Sequence, residues 1–214
     1  MEKFKESFKH LKKDPIMKTL IEKLGDKITL YDRKDEDLAK AISQLIIEQQ
    51  VSFKAAITIK KRFEILIKDL SYKEVLLIEN EKLKSIGISY RKVEYIKNVY
   101  SYFLNTSFDF YSEKTDSVIK ELTKIKGIGM WTAEMFLIFI LFKIDIFSKG
   151  DLALINSIKI NYNITDLKET TLNEIISKWS PFKTVASLLL WKSIEDKIFF
   201  NWLSVAERSI LLPL

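Results

Sequence analysis

Apolar residues recur every three or four positions along this chain rather than alternating, which is the period of helices that bury one face. Leu38, Ala41, Ile42, Leu45 and Ile46 form one such stripe behind the acidic start Asp35-Glu36-Asp37. Ala55, Ala56, Ile59, Phe63 and Leu66 form a second after Ser52. Ser71-Tyr72-Lys73-Glu74 has the spacing of a capping box, in which serine and glutamate each satisfy an orphan N–H at a helix start. A short helix over 82–85 is stopped by Gly87, and Ser89 caps the next, which extends to about Leu104. The same periodicity predicts helices over 115–124, 130–142, 150–160, 170–178 and 181–194. Only three prolines and five glycines interrupt the chain, and few segments argue for strands. The pattern predicts an all-α protein of roughly ten helices.

No internal repeat, low-complexity tract or Gly/Pro/Ser-rich linker divides the sequence, and the polar stretch from Asn105 to Thr115 is its plainest break. A length of 214 residues suits one large domain or two small ones sharing an interface, and 47% hydrophobic residues suffice for a core without covalent staples. The chain has no cysteine, which excludes disulfides, thiol nucleophiles, Cys-ligated zinc and iron–sulfur clusters. Its single histidine, His10, has no partners for a metal site and reads as a surface helix residue. Lys and Arg outnumber Asp and Glu by 35 to 29, a net charge of +6 that suits a polyanion without proving one. The start, Met1 to Lys13, is charged and carries no secretory pattern. The longest apolar run, Met135 to Phe142, falls far short of the roughly 20 residues that span a bilayer. These features predict a soluble intracellular protein.

The chemistry-bearing stretch is Leu122-Thr-Lys-Ile-Lys-Gly-Ile-Gly-Met-Trp-Thr-Ala133. One helix ends near Lys124, Gly127 and Gly129 flank Ile128, and a second helix begins near Met130. Glycine tolerates positive φ and lets a phosphate approach the backbone. The unpaired N–H groups and dipole of the second helix favour that anion, while Ile125 and Ile128 pin the turn to the core. An ordinary αα-turn with a glycine cap fits the two glycines equally well. Twenty residues beyond Trp131 stands Phe147-Ser-Lys-Gly-Asp151-Leu-Ala-Leu-Ile. Taken alone, Asp151 is a helix-start aspartate stabilised by the dipole, with Ser148 completing a capping-box variant.

Together these stretches resemble the helix-hairpin-helix superfamily of DNA glycosylases, over about Ile42 to Trp191. Ile46-Ile-Glu-Gln-Gln-Val-Ser-Phe-Lys-Ala-Ala56 resembles the family segment that enters DNA near the lesion. Leu83-Lys-Ser-Ile-Gly-Ile-Ser-Tyr-Arg-Lys92 resembles its Leu-x-x-x-Gly-x-x-x-x-Lys element at the DNA backbone. Trp179-Ser-Pro-Phe-Lys-Thr-Val-Ala-Ser-Leu-Leu-Leu-Trp191 resembles a block of the 3-methyladenine glycosylase II branch. Two departures stand out: Lys126 where the family commonly has proline, and Met135 where it often has an aromatic residue.

The resemblance implies a two-lobed helical fold with a DNA-binding cleft between the lobes, residues 1–35 plus 143–214 forming one lobe and 36–142 the other, with a family core over about 42–192. It implies Asp151 as the catalytic carboxylate, with Trp131, Trp191 and Met135 lining a base pocket. Ile125, Lys126, Gly127, Ile128, Gly129 and Thr132 would form the DNA-binding hairpin. Gln50 or Val51 would fill the gap left by an extruded base, unless they simply pack helices. Ser52, Lys54, Gly87, Tyr90, Arg91, Lys92 and Lys183 are further candidate DNA contacts, each equally readable as a solvated surface residue. Bifunctional relatives carry a lysine nucleophile at the Trp131 position, so the resemblance implies hydrolysis without lyase chemistry.

The implied activity is release of alkylated purines such as 3-methyladenine and 7-methylguanine from double-stranded DNA. Another damaged or deaminated base, or a non-catalytic DNA-binding module, stays open as an alternative. No cofactor is required and no metal is expected. The resemblance leaves room for a monovalent cation, sodium or potassium, at the hairpin–phosphate contact. A monomer in the cytoplasm, associated with the nucleoid and not with a membrane, is expected.

Overall fold

The computed structural model describes residues 4–30 and 35–202, and among them it is all-helical. It divides into two compact units, Met1–Leu30 with Lys143–Leu214, and Tyr31–Phe142. Parts of the first expected lobe, residues 1–3, 31–34 and 203–214, lie outside the described residues.

The central unit holds α3 (Leu38–Glu48), α4 (Phe53–Ile67), α5 (Tyr72–Leu77), α6 (Asn80–Ser85), α7 (Tyr90–Asn105), α8 (Thr115–Leu122) and α9 (Met130–Phe139). Four of these starts have a local cause. Asp37, Ser52, Ser71 and Ser89 are N-caps whose side chains accept a main-chain N–H, and Ser71 with Glu74 forms the complete capping box. α3 packs on α4, α7 and α9, and α8 packs on α9. The inner stripe of α3, Ala39, Ala41, Ile42, Leu45, Ile46 and Ile47, is buried throughout. α9 is mostly apolar, and Ala133 and the run from Met135 to Phe139 are buried. It ends at Phe139, before the expected 142, because Phe142 adopts a left-handed φ of 53° that no helix continues.

The other unit holds α1 (Lys5–Leu11), α2 (Pro15–Leu24), α10 (Leu152–Asn161), α11 (Glu169–Ser177) and α12 (Lys183–Asp196). α1 and α2 bring the described helices to twelve, beyond the roughly ten expected. Asp14-Pro15 is the signal that marks α2: the aspartate caps Ile16 N–H at 2.9 Å and proline sits at the first helical position. α12 packs on both α2 and α10. His10 lies on α1, where its Nε2 bonds Lys178 O at 3.0 Å and its ring meets Phe182.

Two buried polar clusters hold this unit together. Ser157 and Ser193 hydroxyls meet at 2.7 Å between α10 and α12, and Asn161 Nδ2 donates to Ser157 O at 2.9 Å. Asn161 Oδ1 then accepts Phe200 N–H, fixing the chain beyond α12. Around Asp14, Tyr162 donates its hydroxyl and the fully buried Trp179 its indole N–H to Oδ2. Burial and the Asp14 charge push the Tyr162 phenol well above its ordinary range. Replacing Asp14 by Ala removes a cap and leaves two polar groups without their acceptor. Urea unfolding should show a loss of about 2–4 kcal/mol, and an unchanged midpoint would show that these contacts carry no net stability.

Candidate nucleic-acid interface and active site

The hairpin is built from its turn outward. After α8, Ile125 N–H donates to Leu122 O and Ile128 N–H to Ile125 O, each at 3.0 Å. Ile125 and Ile128 are buried, as expected of the two pins. Gly127 has φ +106°, a region that side chains rarely enter. A Cβ there would collide with Tyr95 Cγ, so the turn sits directly on that ring. Arg91 Nε donates to Tyr95 Oη at 2.5 Å and Asn98 Nδ2 to Lys126 O at 3.2 Å. Gly129 is the N-cap of α9, offers no capping side chain, and faces open space. The first N–H groups of α9 therefore have no side-chain cap, which is the state an approaching anion would exploit.

Several expected DNA contacts have work inside the protein. Thr132 is 2% exposed, and its hydroxyl accepts Gln49 Nε2 at 2.8 Å. Lys92 is half-buried, with its ammonium donating to Ile47 O at 2.9 Å and Gln49 O at 2.5 Å; burial pushes that ammonium down. Through these bonds both side chains brace the α3–α4 loop. Lys126 is exposed but paired with Glu94 at 2.6 Å, which pushes its ammonium up. Ser52 caps α4, and Met135 is buried at 3% exposure.

The braced loop carries Gln50 and Val51, both exposed. Gln50 has φ 54°, a left-handed backbone that costs a non-glycine residue and persists only where neighbours over-determine it. Lys92 and the Gln49–Thr132 bond supply that constraint. Gln49 and Tyr95 do not stand out in the sequence, because each acts through a partner distant along the chain. Tyr90, exposed, carries the Lys84 ammonium 4.4 Å over its ring. Lys54 is exposed.

In the other unit, the segment before α10 is held from both sides. Thr184 Oγ1 donates to Lys143 O at 2.7 Å and accepts Ile146 N–H at 3.1 Å. Asp145 accepts from Ser180 Oγ at 2.8 Å and pairs with Lys183 at 3.3 Å, which occupies that lysine within the fold. Phe147 is buried against Trp179. The chain then delivers Asp151 as the N-cap of α10 itself, where the sequence placed it in the first turn. Its Oδ1 accepts Leu154 N–H at 3.0 Å and Trp191 Nε1–H at 3.2 Å. Asp151 and Trp191, 40 residues apart, are thus brought into direct contact, and both are half-buried. Among the described residues, no group of three or more His, Asp or Glu could hold a metal, and no helix is long and apolar enough to cross a membrane.

The described residues thus form a helical protein with a glycine hairpin before an uncapped helix start, and with a carboxylate fixed at another helix start by an indole. The chain belongs to the HhH-GPD superfamily of base excision DNA repair proteins, whose match covers residues 43–182. It is 30% identical to the Schizosaccharomyces pombe DNA-3-methyladenine glycosylase 1 in an alignment of 169 positions that covers 74% of this chain and 71% of that one. A crystal structure of a DNA-3-methyladenine glycosidase from Bacillus halodurans is similar at 32% identity and a TM-score of 0.68, covering 84% of this chain and 87% of that chain. The fold also matches an S. pombe 3-methyladenine DNA glycosylase in complex with abasic DNA, with a TM-score of 0.81 at 24% identity over 89% and 97% of the two chains.

The two hairpin glycines make opposite predictions. Gly127→Ala should cost about 1–3 kcal/mol in thermal or urea unfolding, from φ strain and displacement of Tyr95. Gly129→Ala, with space for its methyl group, should stay within about 0.5 kcal/mol. Equal effects would contradict the turn geometry.

Proposed function

We propose that this chain is a monofunctional DNA glycosylase that hydrolyses the N-glycosidic bond of alkylated purines such as 3-methyladenine and 7-methylguanine in double-stranded DNA. The observation that carries the reading is Asp151, held at a helix start with Oδ1 pinned by Leu154 N–H and Trp191. The names of the similar proteins supply the substrate class.

Breaking an N-glycosidic bond builds positive charge on the sugar ring. A carboxylate already fixed in place stabilises that charge without reorganising, and it can orient or deprotonate the attacking water. The target base must first leave the duplex. Gln50 or Val51, on the braced loop, would occupy the gap, and the hairpin N–H groups from Gly129 onward would take a backbone phosphate. Trp191 offers an aromatic face beside the carboxylate, and cationic alkylated bases are attracted to such faces. Those bases are also activated as leaving groups, which lessens the need for a separate general acid. Any monovalent cation at the hairpin would rest on main-chain carbonyls, since its turn contains no acidic side chain. The chain would act as a monomer among cellular DNA.

Trp131 stands on α9 where bifunctional relatives have a lysine, and an indole cannot form a Schiff base with the opened sugar. Borohydride added during turnover should therefore trap no covalent protein–DNA adduct; a robust adduct would refute the hydrolytic reading.

Asp151→Asn tests the carboxylate. Single-turnover release of 7-methylguanine should fall by about 10²–10⁴-fold while affinity for abasic-site duplex changes little. Release at the wild-type rate would remove Asp151 from the mechanism.

A further inference from the structure

Where α3 begins and α4 ends, against α5 and α7, the central unit holds a cavity of about 500 Å³. Tyr100 of α7 forms part of its wall and is 1% exposed. Among the described residues, its hydroxyl is the single buried side-chain nitrogen or oxygen without a hydrogen-bond partner. The ring is fixed in place: it meets Tyr72 edge to face at 5.3 Å between centroids, and Tyr72 donates to Asp37 Oδ1 at 2.7 Å. A buried donor without an acceptor is costly, and native proteins leave few of them. Burial first, and then the Asp37 charge, push the Tyr100 phenol above its ordinary range, so it keeps its proton and stays a donor.

The rest of the wall says what would meet that donor. Ile67, Leu70 and Val75 supply apolar surface. The charged lining is Asp37, Glu64 and Asp69 against Lys40 and Lys68, and Lys40 is taken by Asp35 at 2.9 Å. The hydrogen bond to Asp35, and then the Asp35, Glu64 and Asp37 charges, push the Lys40 ammonium up although burial opposes them. The local field therefore favours a cation over an anion. An ammonium alone offers only donors and would leave the phenol unsatisfied. A ligand that suits the whole wall carries an acceptor at one end, an apolar stem, and an ammonium at the other. The volume lies within the range of about 300–1,000 Å³ that small-molecule pockets span. Gln50 and Val51 stand at the opposite ends of α3 and α4, about 16 Å away along α3, so the cavity is separate from that loop.

We propose that this cavity is a small-molecule site for an amphipathic amine, with an acceptor group taking the Tyr100 hydroxyl, a stem on Ile67, Leu70 and Val75, and an ammonium facing the carboxylates. The proposal does not depend on the glycosylase reading, and its failure leaves that reading intact.

Thermal unfolding of the whole chain tests it, with aminohexanol as the probe, since that molecule joins a hydroxyl and an ammonium by an apolar stem. At several times its Kd, aminohexanol should raise Tm by about 2–4 °C. Hexylamine and hexanol, each lacking one end, should raise it clearly less at the same concentration. Tyr100→Phe keeps the ring and removes only the hydroxyl. Without ligand its Tm should match or exceed that of the wild type, because no hydrogen bond is lost, and its response to aminohexanol should fall to that of hexylamine. Equal shifts from hexylamine and aminohexanol, or an aminohexanol shift that survives Tyr100→Phe, would overturn the site. No shift in the wild type would overturn it as well, and a Tyr100→Phe protein less stable than wild type would then assign the hydroxyl to a bound water only.

Discussion

Oδ1 of Asp151 accepts two hydrogen bonds, from the Leu154 main chain and from the Trp191 indole, and these two contacts decide where a carboxylate can act. A side chain free to rotate would have to be organised in each turnover, and that reorganisation would raise the barrier. Here the order is built at folding. Thr184 holds both sides of the preceding segment, Phe147 packs beneath it against Trp179, and α10 begins where the aspartate stands. The α10–α12 serine–asparagine cluster then keeps the helix that carries Trp191 in register with the helix that Asp151 caps. The catalytic proposal is thus an outcome of ordinary capping and packing, with the indole as the added element.

The central unit follows the same economy around a different group. Gly127 takes a conformation open to glycine, and the space where a side chain would sit is filled by Tyr95. Thr132 lies in the first turn of the helix that the hairpin opens, and its hydroxyl meets Gln49. Lys92 completes the brace by holding the Ile47 and Gln49 carbonyls, which would otherwise end α3 without partners. The exposed left-handed Gln50 is what this brace supports. The helix that the hairpin opens and the loop that carries Gln50 and Val51 are therefore joined by one side-chain hydrogen bond within a single unit.

Helix periods and serine or aspartate caps made the central unit legible from sequence, because those signals act within a few residues. The hairpin was legible for the same reason: glycine spacing and flanking isoleucines are local. Asp151 was legible through its motif, though its contact with Trp191 was not, since nothing local links positions 40 apart. The N-terminal helices do not emerge from the apolar period, although Asp14-Pro15 marks one of them. Lys92, Thr132 and Lys183 stand in motifs that resemble DNA contacts, and in the structure each also bonds within the fold, to main-chain carbonyls, to Gln49 and to Asp145. A polar residue in a motif looks the same in sequence whether it points to solvent or to a main-chain carbonyl, and only the fold decides which. Met135, a departure from the family pattern, is buried.

The central claim is that this protein releases alkylated bases by hydrolysis. It is tested most directly by incubating the wild-type chain with duplexes that each carry one lesion, separating free bases by chromatography and counting abasic sites and nicks in the strand. The account predicts free 3-methyladenine and 7-methylguanine in step with intact abasic strands. DNA binding without release of base from any lesion would contradict it.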